Sequence, residues 1–354
     1  MPTDVLVVGP FPPPMNGAAR VTREVFERLA EEFDVRTCDT GAATSSRSRY
    51  HLARVWSYAR AAARVMRVHG RRRVLYIGGS GGTGLWYQVV LIAVARAFRW
   101  RVVFHHHSYA YLRRHSAAMS ALTTLAGERS LHVVLCPDME KLLVGRYPQA
   151  CNTLVVSNAL FVQQVDDSRQ DARARPLRLA HVSNLSMEKG FDVVLNTFER
   201  CLRAGHDVEL HLAGPLAGPA EEKLLEQTLR RFADRIVYPG PIANDQVGDF
   251  MARADLFLFP SRYKNEAEPL VVLEAMASGL PSLTYDVGCS RSLATPGLPP
   301  ATAERDFYAA VLAIADGWPS QDFDELRRRS RDHLADLQRG ASDAMKRLMV
   351  WIRD

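Results

Sequence analysis

The sequence predicts an α/β protein of two doubly wound units. Three observations point there. Short β-branched runs alternate with longer amphipathic stretches, the pattern of a parallel sheet wrapped by helices. The alternation stops at a polar segment without periodicity, residues 165–176, and then restarts. A length of 354 residues exceeds one ordinary core and suits two.

In the first unit, residues 4–9, 74–77, 102–105, 133–136 and 154–157 read as strands. Residues 18–32, 51–69 and 85–98 carry apolar side chains three and four apart and read as helices. The opening Met1-Pro2-Thr3 leads straight into the first strand and lacks the basic region and cleavage site of a signal peptide. The longest apolar stretch, 85–98, is interrupted by Gln88 and Arg96 and is shorter than the ~20 residues that span a bilayer. In the second unit, 178–183, 208–213, 235–238, 255–259 and 282–285 read as strands. Helices are expected at 190–202, 219–232, 245–253 and 269–278, then at 303–315, 322–338 and 342–353.

Hydrophobic content of 47% and charged content of 24% fit a soluble globular chain. The five cysteines are odd in number and include no CxxC pair, which argues against a disulfide framework and a zinc site. The compartment expected is the cytoplasm. Net charge is +6, but it is unevenly spread. Between Asp39 and Glu128 lie 88 residues without one Asp or Glu, and they hold 14 arginines. Such asymmetry points to an anionic partner. Arginine bias of the genome would add arginines but would not remove the acids. No nucleic-acid recognition motif accompanies them, so nucleic acid is not the expected partner.

Three strand–loop–helix segments carry candidate chemistry. The first, residues 9–19, is proline-rich and contains Asn16 and Gly17; its glycine permits close backbone approach, and the helix it opens offers free N–H groups to a phosphate. The second, His181-Val182-Ser183-Asn184-Leu185-Ser186-Met187-Glu188-Lys189-Gly190, sets Lys189 just before a helix, where a cation can meet a diphosphate. The third, residues 259–281, holds Glu266 in a loop and Glu274 eight residues on, inside the helix that Pro269 starts. A carboxylate amid Leu270, Val271, Val272, Leu273, Ala275 and Met276 is costly without partners, and sugar and ribose hydroxyls are such partners. A solvated lysine or glutamate is the ordinary alternative for each residue taken singly.

Together the three segments resemble family 4 glycosyltransferases, retaining enzymes of the GT-B fold. The pattern Glu, seven residues, Glu, then Ala-Met-Ala-x-Gly-x-Pro is matched by Glu266 to Glu274 and Ala275-Met276-Ala277-Ser278-Gly279-Leu280-Pro281. Leu185, Lys189 and Gly190 stand in the family's Gly-Arg-Leu-x-x-x-Lys-Gly, and Val156-Ser157-Asn158-Ala159 resembles its domain-junction segment. The resemblance implies two Rossmann-like domains facing a cleft. Residues 1–160 would form the acceptor side, 161–339 would bind a nucleotide-sugar, and a helix at about 340–354 would pack back on the first. It implies that Glu274 holds the donor ribose, Glu266 the transferred sugar, and Lys189 with Gly17 the diphosphate. Ala267, Pro269 and Leu270 would flank these groups, and Pro239 and Ile242 would lie against the base. A pocket histidine after an N-domain strand falls in His105-His106-His107, as His106 or His107. Consecutive strand residues point to opposite faces, so the trio cannot readily share an ion, and neither a metal nor a cofactor is expected.

Two positions depart from the family. Asn184 replaces an arginine that assists Lys189, and Arg262 or Lys264 is expected to supply the missing charge. Cys289 replaces a second glycine on the phosphate side. A catalytically degenerate nucleotide-sugar-binding subunit and a sugar-nucleotide epimerase of the same fold therefore stand as alternatives. The acid-free span lies on the acceptor side. Residues 51–69 combine Arg54, Arg60, Arg64 and Arg67 with Leu52, Val55, Trp56 and Met66, which suits a membrane interface. The expected acceptor is a lipid-linked glycan or polysaccharide precursor, met at the inner face of the cell membrane.

Overall fold

The structure, a computed structural model, describes residues 3–13, 17–41, 47–68, 70, 72–165, 176–318 and 321–354. Asn16 and nearly all of the polar segment 165–176 lie outside these residues. The chain divides into one unit of residues 1–161 with 339–354 and a second of 162–338.

The first unit runs β1 (Asp4–Gly9), α1 (Gly17–Ala30), β2 (Asp34–Asp39), α2 (Arg47–Arg67), β3 (Arg73–Gly78), α3 (Gly84–Ala97), β4 (Arg101–His105), α4 (Ala110–Arg113), α5 (Ala117–Ala126), β5 (Leu131–Val134), α6 (Pro137–Arg146) and β6 (Thr153–Val155). Its strands are parallel and stand in the order β2-β1-β3-β4-β5-β6. Strands covered on both faces read as unbroken apolar runs, and Val5–Val8 and Val74–Ile77 are buried throughout. β2 is an edge strand that no apolar run announces: Asp34, Arg36 and Asp39 are exposed, and of its six side chains only Cys38 is buried.

The second unit runs β7 (Leu177–Val182), α7 (Phe191–Arg203), β8 (Val208–Ala213), α8 (Pro219–Phe232), β9 (Ile236–Val237), α9 (Val247–Met251), β10 (Leu256–Phe259), α10 (Leu270–Ala277), β11 (Ser282–Thr284), α11 (Ser290–Leu293), α12 (Glu304–Asp316) and α13 (Gln321–Arg353). Its parallel order is β11-β10-β7-β8-β9. α7 shows why these helices form: Val194, Phe198 and Cys201 recur at helical spacing and are fully buried against the sheet, while Arg200 and Arg203 close its last turn. Burying each of the two phenylalanines, Phe191 and Phe198, contributes about 1.5–3 kcal/mol.

The expected pair of C-terminal helices is one helix, α13, which passes through Gly340 without a break. The ~1 kcal/mol that an interior glycine costs is small beside the packing of the residues around it. Residues 339–354 belong to the first unit. There Arg101 stacks on Trp351 at 3.7 Å, and Arg353 pairs with Glu32. Cys38, Cys151 and Cys201 are free thiols.

A buried ion pair ties α13 to the second sheet. Arg327 Nη2 donates to Asp255 Oδ1 at 2.5 Å, and both side chains are almost wholly buried. Asp255 Oδ2 accepts the Arg178 N–H at 3.0 Å, so one carboxylate holds β7, β10 and α13.

Candidate functional site

In both sheets the strand order reverses once, between β1 and β3 and between β7 and β10. Ligands of open parallel sheets bind outside the carboxyl ends of the strands at such reversals. The loops that follow β7 and β10 carry Lys189 and Glu266.

After β7 the chain makes one 3-10 turn, Met187–Lys189, with Ser186 Oγ accepting the Lys189 N–H at 3.2 Å. Gly190 then adopts φ +81°, and a Cβ there would stand 2.2 Å from the Pro260 carbonyl oxygen. Only glycine permits this approach of the two loops. Three interactions close it. The Arg262 N–H donates to Glu188 O at 2.7 Å, and its guanidinium donates to Met187 O at 2.6 Å. Lys189 Nζ meets Glu266 Oε2 at 2.5 Å. Ser261 Oγ donates to the same carboxylate oxygen at 3.0 Å, and Lys189 lies 4.9 Å from the Tyr263 ring centre. Ser261 and Tyr263 escaped sequence reasoning, because a serine and a tyrosine in a loop have no distinctive spacing.

The flanking loops are fixed by the same kind of contact. Gly214, at φ +126°, passes so close to Ser183 that a Cβ would fall 1.8 Å from its carbonyl oxygen. Gly214 N–H donates to Gly240 O and Tyr238 Oη donates to Gly214 O, both at 3.0 Å, which draws the Pro239–Ile242 turn beside the β7 loop. Pro239 is exposed and Ile242 half-buried. On the other side the Cys289 N–H donates to Ala267 O at 2.8 Å, so that amide is already engaged. In α10, Leu270, Val271 and Glu274 share the half-exposed side, whereas Val272, Leu273, Ala275 and Met276 are buried. The helix therefore turns Glu274 out of the apolar layer that its sequence neighbours occupy.

Arg262, one of the two side chains expected to supply the charge missing at Asn184, rests on an acid in this structure. Arg262 Nη2 pairs with Asp192 Oδ1 at 2.5 Å, and its charge is offset there. Asn184 is exposed on the rim, and Lys264 is exposed with no ion pair among the described residues.

At the reversal of the first unit, β1 and β3 end on Gly9 and Gly78. A Cβ on Gly78 would lie 3.8 Å from Gly9 Cα and 3.8 Å from His107 Cδ2. Gly17 begins α1 and is exposed. The histidine trio separates as strand geometry requires. His105 and His107 lie together, ring centres 4.0 Å apart, while His106 turns the other way. His106 is enclosed: Nδ1 meets Tyr111 Oη and Nε2 meets His132 Nδ1, each at 3.0 Å. His106 is thus a core residue with both ring nitrogens occupied, whereas His107 is half-buried. Among the described residues no group of three His, Cys, Asp or Glu side chains is placed to hold a metal.

Burial keeps this cluster neutral. It pushes His105 and His106 well below the usual imidazole range, with their histidine neighbours adding to the effect, and lowers His107 and His132 to about 4. Below the unfolded value of ~6.5 the unfolded chain binds more protons than the folded one. Stability should therefore be complete above that pH and decline as pH falls toward 4. Urea midpoints followed by circular dichroism at pH 7.5, 5.5 and 4.5 check this; a constant midpoint would contradict it.

Residues 176–316 match the family model for glycosyl transferases group 1. All of β7 to α12 lies inside the matched segment. Mannosylfructose-phosphate synthase of Agrobacterium fabrum is 30% identical over 109 residues, 29% of this chain and 24% of that protein. The lipopolysaccharide core biosynthesis mannosyltransferase LpsB of Rhizobium meliloti is 34% identical over 114 residues, 31% of each. The aligned stretch is about a quarter to a third of these relatives' own length. Two solved structures share the fold throughout. HepE of Anabaena in complex with UDP has a TM-score of 0.68 at 16% identity, covering 98% of this chain and 99% of that one. Sucrose-phosphate synthase of Thermosynechococcus elongatus has a TM-score of 0.75 at 15% identity, covering 99% and 98%. The fold is GT-B, two doubly wound α/β units.

Proposed function

We propose that this chain is a retaining, metal-independent glycosyltransferase that moves a sugar from a nucleotide-sugar donor to a lipid-linked or polysaccharide-precursor acceptor at a membrane surface. The observation that carries the reading is the Lys189–Glu266 contact at the β7/β10 reversal, inside the segment that matches the family model. Glu266 and Lys189 balance each other in the free protein. An arriving donor offers both a new partner: its sugar hydroxyls suit the carboxylate and its diphosphate suits the ammonium. As the glycosyl–phosphate bond breaks, charge grows on the leaving diphosphate. Lys189 and the N-terminus of α7 then act as preorganised electrostatic stabilisation. Glu274, on the open side of α10, is assigned to the ribose, and His107 to the first unit's part of the reaction. Retention follows from same-face attack assisted by the leaving phosphate.

HepE was solved with UDP, which makes UDP-sugars the first donors to test. UDP-, GDP-, ADP- and dTDP-sugars at about one hundred times their Kd should raise the Tm by about 5 °C or more for the right donor. That donor should also be turned over, slowly by water or faster with acceptor. Absence of both a shift and turnover with every donor would overturn the reading. A shift without turnover would favour the degenerate binding subunit, for which the exposed Asn184 in place of a cation is the specific observation.

A further inference from the structure

The first unit carries an apolar surface that its own core does not use. On α2, Ser57, Tyr58, Ala61 and Val65 are buried. At ~100° per residue, Leu52, Val55, Trp56, Ala59 and Met66 fall on a different side, and all are exposed. Trp56 is 65% and Leu52 61% exposed. α3 packs on α2 through Tyr87, which stacks on Tyr58 at 5.6 Å, and it leaves Trp86 and Val90 half or more exposed on its own outer side. Two exposed tryptophans on neighbouring helices are not needed for packing. Apolar patches of this kind mark interaction surfaces.

The charge around the patch says what covers it. Exposed Arg49, Arg60 and Arg67 border the apolar side of α2. Toward the C-terminal end of α2, a groove of about 480 Å³ is lined by Arg36, Arg64 and Arg67 over Phe26, Val35 and Val68. Among the described residues Arg36 makes long ion pairs, 3.9 Å to Asp4 and 3.7 Å to Asp34. Neither α2 nor α3 contains one acidic residue. A protein partner's surface ordinarily carries both signs of charge; a sheet of lipid phosphates carries one.

We propose that the outer side of α2 and α3 docks in the headgroup layer of an anionic bilayer. Trp56 and Trp86 sit at the level of the glycerol, as amphipathic rings do at membrane interfaces, and the arginine groove takes lipid phosphate. The proposal deepens and rests on the membrane-surface part of the proposed function, and names the surface and its lipid class.

Flotation of the full chain with phosphatidylglycerol-containing vesicles and with phosphatidylcholine vesicles tests it, together with fluorescence quenching by brominated lipids. Expected are binding to the anionic vesicles only, weakening with salt, and quenching of tryptophan emission. Trp56→Ser with Trp86→Ser should lower the partition coefficient at least about tenfold, and Arg60→Ala with Arg64→Ala and Arg67→Ala by about two orders of magnitude. Both variants should keep the wild-type donor-induced Tm shift, which also shows that they fold. No vesicle binding by the wild type, or undiminished binding by both variants, would overturn the proposal. So would a dimer that the tryptophan variant abolishes, because the patch would then face a second copy. If vesicles fail while the donor still shifts the Tm and is turned over, this surface alone is refuted. If vesicles bind and no donor acts, the transferase reading fails and the surface stands.

Discussion

Glu266→Ala should lower kcat by about two to three orders of magnitude with the fold intact, the effect of removing one preorganised electrostatic group. Glu266 is nearly buried, and one of its oxygens meets both Lys189 and Ser261 Oγ. The variant loses the carboxylate proposed to order the transferred sugar, and it frees Lys189 from its resting partner. Because Lys189 retains some access to water, the stability cost should stay near the ~1 kcal/mol of a partly exposed pair. Glu266→Gln keeps an acceptor for Ser261 without the charge, and it should fall between wild type and alanine. Lys189→Ala should be at least as damaging, and the double variant should lose much less than the product of the two, because the groups act as a unit. Steady-state kinetics with the donor found by thermal shift decides the matter. Near-wild-type kcat in Glu266→Ala would remove the carboxylate from the mechanism.

The largest stability effect is expected at Arg327→Met. This change leaves the Asp255 carboxylate wholly buried without its guanidinium partner. Breaking such a pair on one side typically costs about 3–5 kcal/mol. For a unit of this size the Tm should drop by roughly 10 °C. Arg327→Met combined with Asp255→Asn removes both charges and keeps an oxygen for the Arg178 N–H, so it should recover most of the loss. Thermal unfolding of the three variants tests this; equal loss in the single and double variants would show that the cost lies in packing and not in charge. Donor binding at the proposed site should be unchanged in the folded double variant, whose substitutions lie outside the Lys189 and Glu266 loops.

Much of the fold and part of the candidate site were legible in the sequence, for different reasons. Strands buried on both faces, such as β1 and β3, announce themselves as apolar runs. The helices α7 and α8 announce themselves by spacing and by Pro219 at the start of α8. β2 was missed because an edge strand packs on few neighbours and needs no apolar run. Lys189, Glu266 and Glu274 were marked by the order and spacing of their motifs. Ser261 and Tyr263 were not, since their importance arises only from what they touch.

The sequence by itself determined where most of the strands and helices lie and which loops carry charge. Such properties depend on φ, ψ and on periods of 2 and 3.6 residues, which neighbours along the chain share. The tertiary structure alone decided the pairings. Lys189 meets Glu266 across 77 positions of sequence, Arg262 is claimed by Asp192 across 70, and His106 is enclosed by Tyr111 and His132. Those outcomes depend on strand order. In the β11-β10-β7-β8-β9 sheet, β10 lies beside β7 and not beside β9, the strand that precedes it in the chain, and that adjacency sets a lysine against a glutamate.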